Sequence, residues 1–98
     1  MPWNGSGRFD FTEASILAAA PRSSGVYALF NEGQWIYIGE GQDIEARLLD
    51  HRRNSHNPCV NRHSPAYFAF EAVAATQRVS RQDQLILEFR PLCNMRLG

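Results

Sequence analysis

Two tyrosines, Tyr27 and Tyr37, stand ten residues apart, and Arg47 follows after another ten. Two phenol hydroxyls beside a guanidinium suit a phosphodiester. The hydroxyls can orient a water near phosphorus, while the planar guanidinium bonds two phosphate oxygens at once and does not deprotonate. Phosphoryl transfer asks mainly for positioning and charge neutralisation, and these groups supply both. The same residue types also serve as packing groups on a sheet and as a solvated helix edge. The elements that carry them must decide.

Gly25 to Phe30 and Gln34 to Ile38 are aromatic and β-branched runs that read as strands. Asn31-Glu32-Gly33 between them suits a three-residue hairpin loop with Gly33 in a left-handed conformation. With Phe30 and Gln34 flanking that loop, Tyr27 falls directly opposite Tyr37 on one face of the ribbon, a register that a one-residue slip would break. Gly39-Glu40-Gly41 is expected to break the second strand and let a helix start close to the sheet. Asp43 caps that helix, which runs to about Arg53 with Ile44, Leu48 and His51 on one stripe and Arg47 at its border.

The flanking segments complete the domain. Phe9 to Pro21 reads as an N-terminal helix capped by Thr12, followed by an Arg22-Ser23-Ser24 linker. Asn54 to Pro65 reads as a polar loop, and Ala66 to Ala72 as a third strand. Ser80-Arg81-Gln82-Asp83 has the form of a capping box opening a last helix to about Phe89, which Pro91 ends. The expectation is one α+β domain over residues 1–98, with a helix and linker over 1–23 and the core over 24–94. A three-stranded, mainly antiparallel sheet is flanked by helices.

Gly25-Val26-Tyr27, then Tyr37-Ile38-Gly39, then Arg47 with His51 one turn on, resembles the GIY-YIG nuclease domain. Leu85-Ile86, Pro91 and Asn94 are similar to that family's closing helix and tail, so the resemblance spans roughly Ser24 to Asn94. It implies a sheet flanked by helices and a metal-dependent endonuclease acting on DNA phosphodiesters with Mg or Mn, in DNA repair or recombination. By resemblance, Tyr27 would activate or orient the water, Tyr37 would support it and Arg47 would hold the scissile phosphate. Gly39, Glu40, His51, Arg52, Arg53 and Asn94 would lie on the substrate side.

One position departs from the family. Its metal-binding glutamate lies three residues before the Leu-Ile pair and nine before the proline, where this chain has Gln82. Helical spacing puts Gln82 on the stripe of Leu85, Ile86 and Phe89, facing the sheet. A neutral amide oxygen lacks the charge that makes a carboxylate a dependable ligand. Asp83 is rotated about 100° away on the helix, which leaves Glu40, Glu71 and Glu88 as carboxylates that could substitute. Two further readings follow: a nucleic-acid-binding module that has lost cleavage, or a protein-interaction domain with the same fold.

Composition sets the outer bounds. The 98 residues carry ten basic and ten acidic groups, every basic one an arginine. Net neutrality argues against a strongly basic coat, yet Arg47, Arg52, Arg53 and Arg62 face only Asp50 in one segment, a local excess that can meet phosphates. No apolar run is long enough to span a membrane and the N-terminus lacks a signal-like apolar stretch, so the expected location is cytoplasmic. Cys59 and Cys93 are accordingly expected as free thiols, one bridge remaining open. His51, His56, Cys59 and His63 lie close in sequence, but their spacing matches no standard zinc pattern, and they read as solvated loop residues. Trp35 is expected to pack or to anchor a surface patch.

Overall fold

A computed structural model describes residues 7–54 and 57–94. Along the chain run β1 (Phe9–Asp10), α1 (Glu13–Ala19), β2 (Gly25–Asn31), β3 (Gln34–Gly41), α2 (Ile44–Asn54), α3 (Pro58–His63), β4 (Tyr67–Ala72) and α4 (Arg78–Phe89). The strands form one antiparallel sheet in the order β1-β4-β2-β3. The α+β class is as expected, but the sheet has four strands, not three. The added strand takes residues assigned to the first helix. Phe9 pairs with Phe68 and stacks on the rings of Phe68 and Phe70 at 5.3 and 5.7 Å. A two-residue strand has no periodicity of its own and exists only through that pairing. Helix α1 therefore starts at Glu13, where Thr12 Oγ1 accepts the Ser15 N–H at 3.2 Å.

The central hairpin differs from its predicted register twice, and the differences offset each other. Asn31 pairs with Gln34, so the loop is the two residues Glu32-Gly33, with Gly33 at φ +69°. A bulge then places Ile36 as an extra residue on β3, between the Phe30–Trp35 and Leu29–Tyr37 pairs. Beyond it Tyr27 pairs with Gly39, and Tyr37 with Leu29. The tyrosines are thus diagonal neighbours, not direct partners. They still share a face, with ring centroids 6.2 Å apart. Gly39-Glu40-Gly41 does not break β3, which continues through it to Gly41.

Strand β2 is interior to the sheet and covered on both faces, so Gly25 to Phe30 are all buried. On one face Tyr27, Leu29 and Phe68 pack with Ile16 of α1, Ile44 and Leu48 of α2 and Val60 of α3. On the other, Val26, Ala28, Phe30, Ile38 and Ala69 pack with Leu85 of α4, and Ile86 and Phe89 close its edge. Trp35 packs, as expected, its ring 4.9 Å from Phe30 and 4.6 Å from Phe89.

Helix α2 begins as predicted, with Asp43 Oδ1 accepting the Ala46 N–H at 3.0 Å. The segment expected as a loop contains α3 instead, capped by Asn57 Oδ1 on the Val60 N–H at 3.1 Å, with Pro58 in its first turn. His56 lies outside the described residues. The cysteines are also a correction: Cys59 of α3 and Cys93 of the tail form a disulfide. Helix α4 starts at Arg78, two residues before the predicted capping box, and its N-cap Gln77 makes no side-chain bond. Arg78 instead anchors the first turn, donating to Glu40 at 2.6 Å and to Ser24 at 3.1 Å. No helix among the described residues is long and apolar enough to cross a membrane.

Candidate functional site

Tyr27 is fully buried, and glycine makes the space for it. Gly39, its partner across the hairpin, has no side chain, and a Cβ there would collide with the Tyr27 ring and hydroxyl. Gly41 does the same for the next residue of the set, since a Cβ at that position would lie 2.5 Å from Arg47 Cγ. The two glycines let a phenol and an arginine stem lie against the end of β3. Gly39→Ala is therefore expected to cost about 1–3 kcal/mol, as overpacking does in a filled core. Urea unfolding measures that cost, and loss of the Tyr27 hydroxyl bond described next should accompany it.

The Tyr27 hydroxyl and His51 Nε2 lie 2.8 Å apart, and both rings contact Tyr37. His51 faces the sheet because it lies one turn after Arg47 and in register with Leu48 and Ile44 on α2. Burial first, and the positive charge of Arg47 second, hold its pKa down at about 4, while Asp50 pulls weakly the other way. Burial likewise pushes the Tyr27 phenol well above its ordinary value, with Tyr37 adding to the rise and Arg47 opposing it. At neutral pH the pair is a neutral phenol and a neutral imidazole. The other ring nitrogen, Nδ1, is buried with no hydrogen-bond partner.

A depressed histidine pKa makes a stability prediction with a definite sign. The unfolded chain takes up the proton below about 6.5 and the folded one only below about 4, so acid favours unfolding across that window. The His51 contribution is fully present above pH 6.5 and falls by on the order of 3 kcal/mol as pH drops to 4. Melting temperatures of wild type and His51→Phe across this range check it. The variant should lose most of the slope.

Arg47 stands at the mouth of this pair, its side chain 45% exposed and 3.6 Å from Asp50. The other arginines of the segment turn elsewhere. Arg53 makes a two-point contact with Glu13 of α1 at 2.8 and 2.9 Å, and Arg52 lies 5.6 Å over the Phe11 ring. Both therefore lean toward the N-terminal helix. Glu40 points to the other face of the sheet, where Arg78 holds it. Asn94 reaches β3 from the tail. Its Oδ1 accepts the Ile38 N–H at 2.7 Å and its Nδ2 donates to the Ile38 carbonyl at 3.0 Å. One side chain thus satisfies both free groups of an edge-strand residue lying between Tyr37 and Gly39.

No family model matches this sequence, and no curated protein does. Solved structures do. The GIY-YIG N-terminal endonuclease domain of UvrC from Thermotoga maritima, as a point mutant bound to its catalytic divalent cation, superposes with a TM-score of 0.72. It is 27% identical, over 85% of this chain and 93% of that one. The magnesium-bound form of the same domain gives a TM-score of 0.72 at 24% identity, over 85% of this chain and 96% of the other. An Asn-to-Ala mutant gives 0.73 at 23% identity, over 86% and 96%. The chain has the fold of the GIY-YIG nuclease domain.

Three structures of that UvrC domain carry a Tyr-to-Phe substitution, at positions that follow one another at the intervals separating Tyr27, Tyr37 and His51 in this chain. Sequence reasoning placed His51 on the substrate side but missed its bond to Tyr27. The signal was available: a polar residue one turn after Arg47, on the buried stripe of α2.

The UvrC domains hold a divalent cation, and whether these residues fit one can be tested on the donor set. Gln82 is half-buried on α4, and its amide donates a long 3.4 Å bond to Asp83. Glu40 and Glu71, the carboxylates best placed to substitute, are each taken by an arginine, Glu71 by Arg81 through two contacts of 2.9 Å. Among the described residues, the group of His, Cys, Asp and Glu side chains with converging ligand atoms is Cys59, His63 and Cys93. The residues around Tyr27 and Tyr37 do not make a carboxylate site for a hard cation.

Proposed function

We propose that this domain binds the phosphodiester backbone of DNA on its Tyr37–Arg47 face and carries an endonuclease-type site there. The observation that carries the reading is the 2.8 Å Tyr27–His51 bond beneath a half-exposed guanidinium. Arg47 holds two non-bridging phosphate oxygens and neutralises their charge. Burial divides the tyrosine roles. Tyr37 is half-buried and presents its hydroxyl to the attacking water, while Tyr27, fully buried, orients His51 from below. The water oxygen, oriented by the Tyr37 hydroxyl, bonds phosphorus as the bond to the leaving sugar oxygen breaks; the water gives up its proton to solvent, and the leaving oxygen takes one from solvent to become a hydroxyl.

Nicking of supercoiled plasmid in magnesium or manganese, read beside binding to a fluorescent duplex, tests this. Arg47→Ala should weaken binding and reduce the slope of log affinity against log salt by about 0.9. Tyr37→Phe should leave binding within about twofold and lower cleavage roughly 10²-fold. Unchanged cleavage in both Arg47→Ala and Tyr37→Phe would sink the assignment.

A second reading, a nucleic-acid-binding module without turnover, is favoured by Gln82 and by the arginines that occupy Glu40 and Glu71. It predicts salt-dependent binding that Arg47→Ala weakens, with no nicking by the wild type.

A further inference from the structure

The converging cluster lies away from the tyrosines, where α3 meets the tail. Cys59 and His63 are four residues apart on α3 and so share one helix face, and Cys93 comes to them from the chain's end. The two sulfurs and a His63 ring nitrogen all lie within 4.8 Å of one another, and all three residues are half-buried. Each is positioned by contacts independent of the disulfide. Val60, between Cys59 and His63, is buried in the core; the Asn31 amide donates to the His63 carbonyl at 3.1 Å; and the Cys93 N–H donates to the Ile36 carbonyl at 2.8 Å. The ligands would remain together if the bond opened.

Chemistry makes disulfide and metal site mutually exclusive. Bridged sulfurs carry no thiolate, whereas a Cys2His set of thiolates and an imidazole is the soft donor combination that selects zinc. We propose that Cys59, Cys93 and His63 form a redox-gated metal site that takes one zinc ion when the disulfide is reduced. A dithiol reductant supplies two electrons and two protons, becoming a disulfide as Cys59 and Cys93 become thiols. Metal binding then releases both thiol protons, and the ion gains two sulfurs and one nitrogen, with the fourth position left to water. The Cα atoms of the cysteines are 5.6 Å apart. Opening the sulfurs from bonding distance to the spacing of two ligands at about 2.3 Å from zinc needs side-chain rotation only.

The site would also hold the tail. Cys93 immediately precedes Asn94, whose side chain clamps Ile38 beside Tyr37, so either the covalent bond or the ion keeps that clamp in place. Cobalt serves as the spectroscopic probe for zinc. The full chain, reduced and freed of reductant, is titrated with Co2+ and then Zn2+ beside the oxidised chain. Expected are one ion per reduced chain, a thiolate-to-cobalt absorption band that zinc abolishes, and no band in the oxidised chain. His63→Ala should weaken binding by roughly 10–100-fold, and Cys93→Ser should remove the band. Circular dichroism confirms that each variant is folded. An absent band in the reduced wild type, a band in the oxidised chain, or one ion shared by two chains would overturn the proposal. Because DNA is absent throughout, its failure is separable from failure of the phosphodiester reading.

Discussion

Gln82→Glu is expected to raise magnesium-dependent nicking roughly 10²-fold or more, from whatever level the wild type shows. A single charge explains an effect of that size. A divalent ion stabilises a phosphoryl transition state by several kcal/mol, but only while it is held, and hard cations are held by carboxylates. Here the candidate position offers an amide whose oxygen is neutral, and the neighbouring carboxylates are committed elsewhere. Glu40 is in a 2.6 Å pair with Arg78, and Glu71 is in a two-point pair with Arg81. These partly buried pairs would have to break before either carboxylate could turn to a metal, leaving an arginine without its partner. The substitution changes no volume, so the packing of Leu85 against the sheet should persist and melting should shift little. Nicking against magnesium concentration, for wild type, Gln82→Glu and Gln82→Glu with Tyr37→Phe, decides the matter. A gain that the second substitution removes assigns the deficit to position 82. No gain in a folded Gln82→Glu protein would show that the deficit lies elsewhere.

What could be read from the sequence divides along the range of the interactions involved. Tyr27 and Tyr37 share a face as expected, yet the register that led there was incorrect in two places. A shorter loop and the Ile36 bulge offset one another, so alternation parity survived while the direct pairing did not. Helix α2 was legible because its cap, Asp43, and its apolar stripe are both local. Helix α3 was not. Its six residues are too few for a period, and what holds them is tertiary, namely the burial of Val60 and the bond from Cys59 to a residue 34 positions away. The start of α4 failed for the converse reason. Ser80 to Asp83 carries a capping pattern, but Arg78 finds Glu40 and Ser24 across the fold, and those contacts begin the helix earlier. The site followed the same division: residue types and spacing suggested the tyrosines and Arg47, whereas the Tyr27–His51 bond and the engagement of Glu40 and Glu71 needed the packed domain.

Reducing the Cys59–Cys93 bond in the presence of a chelator should lower stability by about 4 kcal/mol, the closure entropy of a 34-residue loop released to the unfolded chain. For a domain of this size that is a fall of roughly 15–30 °C in melting temperature. Local consequences should precede the global one. The tail from Leu92 to Asn94 runs along the free edge of β3, donating to the Trp35 and Ile36 carbonyls and clamping Ile38 through the Asn94 side chain. With the covalent tie gone, these edge contacts alone hold the tail, and an edge held by few hydrogen bonds opens more readily than the core. Ile38, whose N–H is protected by Asn94 and not by β2, should therefore exchange its amide hydrogen faster in the reduced protein, while amides bonded between β2 and β4 change only with global stability. Asn94→Ala supplies the control, since it should deprotect Ile38 without reduction and with a smaller loss of melting temperature. Equal acceleration at Ile38 and in the β2–β4 ladder would mean that the disulfide stabilises the domain as a whole and does not act through the strand carrying Tyr37.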